Sequence, residues 1–205
     1  MHTLIVVVHP DETSLTHQVV DRLVTGLAPL STAVADLAAE KFDPRFTLDD
    51  HLAYNGARGL PADVLDEQQR LERAQHLVVV FPVYWWSMPA QLKGWFDRVF
   101  ADGFAYRSTA AGVAPALQWL TMHFVPIAAT RAEPFARRGY ESALRTQLEH
   151  GIVDYCGGVR GTFALINGSQ GTTPLAMVDA AVGRVIDKIR TDPRALGRHE
   201  RAREV

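Results

Sequence analysis

The chain has 205 residues, 47% of them apolar, with 21 Lys and Arg against 23 Asp and Glu for a net charge of -2. That length holds one domain with a sizeable core, and the composition excludes a disordered chain. Charges of both signs are interspersed, which excludes the basic face that nucleic acid or a membrane surface would need. The single cysteine, Cys156, excludes an intrachain disulfide and a thiolate metal cluster, and it fits a reducing, cytoplasmic setting. The apolar run Thr3 to Val8 lacks a basic leader and is too short for a signal peptide. No stretch reaches about 18 uninterrupted apolar residues, so a soluble protein without membrane insertion is expected.

In chain order, Leu4 to Val8 is β-branched and continuous, the pattern of a strand buried on both faces. His9-Pro10-Asp11-Glu12-Thr13 breaks it. Ser14 or Thr16 then caps a helix with the stripe Leu15, Val19, Leu23, Val24 and Leu27, which Pro29 ends. A short strand is expected over Thr32 to Leu37. Residues 38–60 read as a long loop with one helical turn. Pro61 opens a helix with Val64, Leu65, Gln68 and Leu71 on one side, and Leu77 to Phe81 is the next buried strand.

An aromatic loop follows from Pro82. It leads into a helix with Leu92, Trp95, Phe96, Val99 and Phe100 on one face, and Pro89 suits its first turn. Residues 103–118 read as loop. A fourth strand is expected within Leu120 to Ala129, a helix over Phe135 to His150 with Gly139 inside it, and a fifth strand over Thr162 to Ile166. A last helix runs from about Pro174 to Arg190.

Alternating strands and helices with doubly buried strands define an α/β fold: a doubly wound, five-stranded parallel sheet with helices on both faces. The order 2-1-3-4-5 places the switch point between strands 1 and 3. Residues 1–190 form one domain in this reading, and residues 191–205 form an arginine-rich tail.

That topology gathers three loops at one sheet edge: 9–16, 82–89 and about 130–140. The first opens a helix, where free N–H groups favour an anion, and His9, Ser14 and Thr16 add donors. The competing reading is that Ser14 is only a cap. Neither GxGxxG nor GxxxxGK[ST] occurs. In the second loop a flat conjugated ring can stack on Trp85 or Trp86, with N–H groups of Val83 to Trp86 on its edge. The alternative has one Trp packed on the sheet and the other in a dimer interface. The eight histidines are scattered without metal-ligand spacing, so no metal site is expected. Gly168-Ser169-Gln170-Gly171 is a turn rather than a nucleophile elbow, and His76 and His123 read as structural.

The run Phe81-Pro82-Val83-Tyr84-Trp85-Trp86-Ser87-Met88-Pro89-Ala90-Gln91-Leu92-Lys93-Gly94-Trp95-Phe96-Asp97-Arg98-Val99-Phe100, with Gly103-Phe104-Ala105-Tyr106 after it, resembles the flavin-dependent NAD(P)H:quinone oxidoreductase family. His9-Pro10 with Thr13-Ser14, Glu67-Gln68 with Leu71, and Gly151-Ile152 with Tyr155-Cys156-Gly157 support the likeness, which covers roughly residues 3–190. The resemblance implies a flavodoxin-like homodimer with its active site at the subunit interface. It implies FMN, or alternatively FAD, as cofactor and NAD(P)H as hydride donor. His9, Ser14, Leu15 and Thr16 would surround the phosphates with Gln68 nearby, and Pro82, Val83, Tyr84, Trp85 and Trp86 would line the ring.

The third loop departs from the family, which has Thr-Thr-Gly-Gly and then a tyrosine. Here it reads Ala128-Ala129-Thr130-Arg131-Ala132-Glu133-Pro134-Phe135. By the resemblance Thr130 sits at the cofactor and Phe135 or Tyr140 takes the tyrosine's place; Arg131 either lies beside the flavin N1/O2 edge or is a solvated loop charge. The implied reaction is ping-pong hydride transfer from NAD(P)H through the flavin to a quinone or similar flat acceptor. The alternatives are a flavin-binding regulatory subunit of a potassium-efflux antiporter, a pure electron carrier, and a tailoring reductase for one polycyclic quinone.

Overall fold

In the computed structural model, which describes residues 1–169 and 175–194, the β-branched runs become parallel strands. The elements are β1 (His2–Val7), α1 (Leu15–Leu27), β2 (Ser31–Asp36), α2 (Leu48–Tyr54), α3 (Ala62–Glu72), β3 (His76–Pro82) and α4 (Ala90–Val99). They continue as β4 (Tyr106–Thr109), β5 (Gly112–Pro115), β6 (Thr121–Ala128), α5 (Ala132–Arg137), α6 (Tyr140–Arg145), a π-helical segment Thr146–Asp154, β7 (Val159–Phe163), β8 (Ile166–Asn167) and α7 (Leu175–Arg190). The sheet order is β2-β1-β3-β6-β7, with β8 also paired to β6. Every one of these pairings is parallel. The expected order 2-1-3-4-5 is therefore present, with the fifth strand split into β7 and β8 around Ala164 and Leu165.

β3 and β6 are buried along their whole length because both faces are covered. Ile5, Val7, Val78, Val80, Val125 and Ile127 pack under α1 and α7, while Leu4, Val6, Leu77, Val79, Phe81 and Phe124 pack under α4 and the π-helical segment. A strand alternates its side chains, so one run of valines and leucines serves both layers.

Several local expectations are corrected. Residues 38–60 contain α2, two turns rather than one, closed by a capping box in which Thr47 and Asp50 satisfy each other. Within 103–118 the chain forms an antiparallel hairpin, β4–β5, whose strands are mostly exposed and lack the apolar alternation that would mark them. The helix expected over 135–150 is interrupted at Gly139, which adopts φ 74° between α5 and α6. Val24 and Leu65, placed on buried stripes, are exposed. Pro174, Gln170, Gly171 and residues 195–205 of the expected tail lie outside the described residues.

α4 fixes the layer on which the aromatic loop rests. A Cβ at Gly94 would overlap the Pro44 carbonyl and ring, so only glycine lets the chain after β2 cross α4 so closely. Arg98, one turn on, donates to Asp50 (2.9 Å), to Asp63 (2.6 and 3.0 Å) and to the Asp43 carbonyl (2.7 Å). Burial pushes the Asp50 carboxyl up, but hydrogen bonds from Thr47 and Arg98 outweigh it and hold it below the usual range. The Trp95 indole is capped by Glu67 at 2.9 Å. Burial raises the Glu67 carboxyl despite that bond.

Candidate active site

Parallel strands end on the same side, so the segments after β1, β3 and β6 share one edge of the sheet. Backbone bonds stitch them there: Val8 N–H to Val80 O, Val83 N–H to Ile127 O, and Leu37 N–H to Val7 O.

The first loop leads into α1 through Ser14, whose hydroxyl accepts from His17 N–H. The expected cap is therefore present, and it occupies the Ser14 oxygen. The N–H groups of Leu15 and Thr16 lie in the first turn and have no intrahelical acceptor. Thr16 is 2% exposed, and its hydroxyl makes no hydrogen bond among the described residues. Asp11 shapes the loop, binding Thr13 through both N–H and Oγ1. Those bonds lower its pKa. Asp11 N–H donates to His9 Nδ1 (3.0 Å), which puts the ring proton on Nε2 and leaves that nitrogen free to donate. An open helix N-terminus, a hydroxyl without a protein partner and an imidazole nitrogen are the donor set a phosphate takes.

One contact in this loop was not foreseen from the sequence. His17 reaches Asp36 at the end of β2 (2.8 Å) and the Asp11 carbonyl (3.0 Å), tying the loop to the neighbouring strand. No local motif signals it, because the partners lie on different elements.

The second loop is a tight turn. Tyr84 and Ser87 exchange both backbone hydrogen bonds at 3.0 Å, and the residues between them, Trp85 and Trp86, have φ 47° and 63°. Two consecutive left-handed residues are the geometry of a type I′ turn, which favours Asn-Gly. Each non-glycine residue there costs roughly 1–2 kcal/mol. Strain of this kind persists where the surroundings over-determine it, often at functional sites.

The turn also sharpens the expected edge contact. Val83 N–H and Tyr84 N–H are already spent on Ile127 and Ser87, so Trp85 and Trp86 carry the two N–H groups left for a ligand. Trp85 is 92% exposed. Trp86 is half-buried and stacks flat on Tyr140 (3.9 Å, 6°), with Phe135 edge-on to both (6.1 and 5.7 Å). Pro82 is buried as the last residue of β3, and Val83 is half-buried beside it.

In the third loop the Thr130 carbonyl accepts from Gly168 N–H (3.0 Å) and from Asn167 Nδ2 (3.2 Å), so β8 fixes its path. Arg131 is exposed and caps α5 with its backbone only. Phe135 is fully buried and acts as a wall, whereas Tyr140 is half-buried. Gln68 does not join the site. It is buried between helices and donates to the Val99 carbonyl (2.9 Å) at the C-terminal end of α4. Among the described residues no group of three or more His, Cys, Asp or Glu could hold a metal ion, and no helix is long and apolar enough to cross a membrane.

A doubly wound sheet whose switch-point edge carries an open helix N-terminus and a strained aromatic turn defines a flavodoxin-type α/β protein. The family model for the flavodoxin-like fold matches residues 1–189, and the chain belongs to that family. It is 32% identical over 147 residues to a ribosyldihydronicotinamide dehydrogenase [quinone] of Pongo abelii, covering 62% of this chain and 63% of that protein. It is 36% identical over 126 residues to the NAD(P)H dehydrogenase [quinone] 1 of Cavia porcellus, covering 52% and 46%. The chain thus spans about half to just under two thirds of the length of these curated relatives. Among solved structures, the NAD(P)H:quinone oxidoreductase of Methanothermobacter marburgensis superposes with a TM-score of 0.80 at 24% identity, over 91% of this chain and 94% of that one.

Proposed function

We propose that the protein is a flavin-dependent oxidoreductase that takes hydride from NAD(P)H and reduces a quinone or similar flat acceptor. The observation that carries this is the strained Trp85–Trp86 turn, which presents two unpaired N–H groups beside the open N-terminus of α1. A flat ring with acceptors on its edge and an anionic tail matches both features. Bound flavin would supply the two-electron chemistry, and the protein supplies binding, orientation and electrostatics.

In this reading Leu15 and Thr16 N–H, the Thr16 hydroxyl and His9 Nε2 hold the phosphate. The Trp85 and Trp86 N–H groups orient the ring edge. Trp86, Tyr140 and Phe135 form the pocket wall and keep water from it. Arg131, unpaired at the same edge, stabilises negative charge that develops on the ring. A single anion loop is what FMN requires, which favours FMN over FAD.

The quinone named for the two curated relatives supports the acceptor class. The face around a cavity of about 390 Å³ at the C-terminal end of α4 fits a second copy of the chain. Phe46, Tyr54 and Tyr155 are 51%, 62% and 49% exposed there or beside it, and exposed aromatic side chains of this kind are enriched at interfaces. A lone free cysteine and a reaction that draws on NAD(P)H support a cytoplasmic location for this reading.

The deciding experiment is purification, release and mass identification of the bound flavin, then NAD(P)H oxidation with a small quinone. A yellow protein that turns over quinone carries the reading. A protein that neither holds nor takes up flavin ends it. A flavin-loaded protein with no turnover favours a regulatory or carrier role.

A further inference from the structure

The strained turn needs something to hold it. We propose that Gln147, on the π-helical segment, is a positioning residue that locks the Trp85–Trp86 turn through Ser87. Ser87 Oγ–H donates to Gln147 Oε1 at 2.7 Å, across 60 residues of sequence. Ser87 is also the residue whose N–H and carbonyl close the turn on Tyr84. Gln147 therefore grips the closing residue of the turn from a different element. Tyr140, seven positions earlier on the same helical run, holds the other side by stacking on Trp86.

Gln147 is exposed. Its side chain is not there to fill the core, and the hydrogen bond it accepts lies in water, where it adds little to global stability. What it can set is the direction of the Trp85 and Trp86 N–H groups, since both belong to the turn that Ser87 closes. The π-helical winding is uncommon and recurs at functional sites. Here it carries Gln147 beside the aromatic turn.

The consequence for ligand binding rests on the flavin reading, but the clamp itself does not. The test uses Gln147→Ala, Gln147→Glu, Ser87→Ala and the Ser87→Ala/Gln147→Ala double variant of the full chain. Near-UV circular dichroism of the flavin-free protein reads the Trp86–Tyr140 stack, and fluorescence titration reads FMN affinity. Gln147→Ala is expected to leave the thermal midpoint in place and to reduce the aromatic dichroism. It is also expected to weaken FMN by about five- to tenfold, the worth of one hydrogen bond.

Ser87→Ala should give the same loss, and the double variant no more than either single one. Gln147→Glu should restore the dichroism and bring affinity within about twofold of the parent, because a carboxylate accepts the same Ser87 hydroxyl. Unchanged dichroism in Gln147→Ala, or losses that add in the double variant, would overturn the clamp. If the parent itself binds no flavin, the cofactor reading fails. The dichroism of the flavin-free variants still decides the role of Gln147.

Discussion

Trp85 combines three properties that rarely coincide: φ 47°, a large ring and 92% exposure. Replacing it with glycine removes a left-handed penalty of roughly 1–2 kcal/mol and adds a chain-entropy cost of roughly 0.5–1 kcal/mol, with almost no burial lost. Trp85→Gly should therefore raise stability by about 0.5–1 kcal/mol in urea unfolding while weakening FMN. A destabilised variant would show that the indole packs on something in solution. Thr16 has the opposite character, a buried residue whose hydroxyl has no protein partner among the described residues. Thr16→Val keeps its shape, so stability should hold while FMN affinity falls by about 1 kcal/mol, near fivefold, in the same titration. Sequence named both residues, because hydroxyls at a helix start and aromatics at a strand end have a recognisable chemistry. It could not show that the Val83 and Tyr84 N–H groups are consumed, since their acceptors, Ile127 and Ser87, are set by sheet pairing and turn geometry.

At the scale of elements, α4 is the fastening. Gly94 admits Pro44, and Arg98 gathers Asp43, Asp50 and Asp63 from three segments. Gly94→Ala forces a methyl group into backbone and should cost about 2–3 kcal/mol by denaturant unfolding. A cost under about 0.5 kcal/mol would mean the Pro44 segment moves freely. Arg98→Met strands the Asp50 carboxylate, which is 4% exposed, and should cost about 3–5 kcal/mol. The amphipathic stripe of α4 was legible because its period is local. The hairpin β4–β5 was not, because exposed polar strands carry no alternation. Gln68 was expected near the phosphates from the family resemblance alone, and packing instead sends its side chain to the Val99 carbonyl.

At the scale of the molecule, the edge opposite the site holds a buried histidine pair. Thr162 N–H donates to His123 Nδ1 (2.9 Å), so His123 Nε2 carries the proton and donates to His76 Nδ1 (3.0 Å). His76 Nε2 then faces Asp192 at 3.3 Å, too poorly aligned to count as a full hydrogen bond. Burial pushes His76 down to about 4 and His123 to about 3. An unfolded histidine titrates near pH 6.5, so between about pH 6.5 and 4 the unfolded chain binds protons that the folded one refuses. Stability is full above that window and falls on acidification, by on the order of 1 kcal/mol or more per pH unit. Urea midpoints measured across the window should decline steadily, and a flat profile would contradict the neutral pair. These two histidines read as structural from sequence, which their burial supports, but their directional hydrogen bonds depend on strands 47 residues apart. The sequence alone determined the strand runs and most of the helix stripes, because double burial and helical period are properties of neighbouring residues, and five alternating strands suit the 2-1-3-4-5 order. It also marked which strand ends carry donors and rings. Only the tertiary structure decided which N–H groups remain free, that the aromatic turn is left-handed, and that Tyr140 stacks on Trp86 while Gln147 accepts from Ser87. Those depend on contacts between elements far apart in the chain, and no local pattern encodes them.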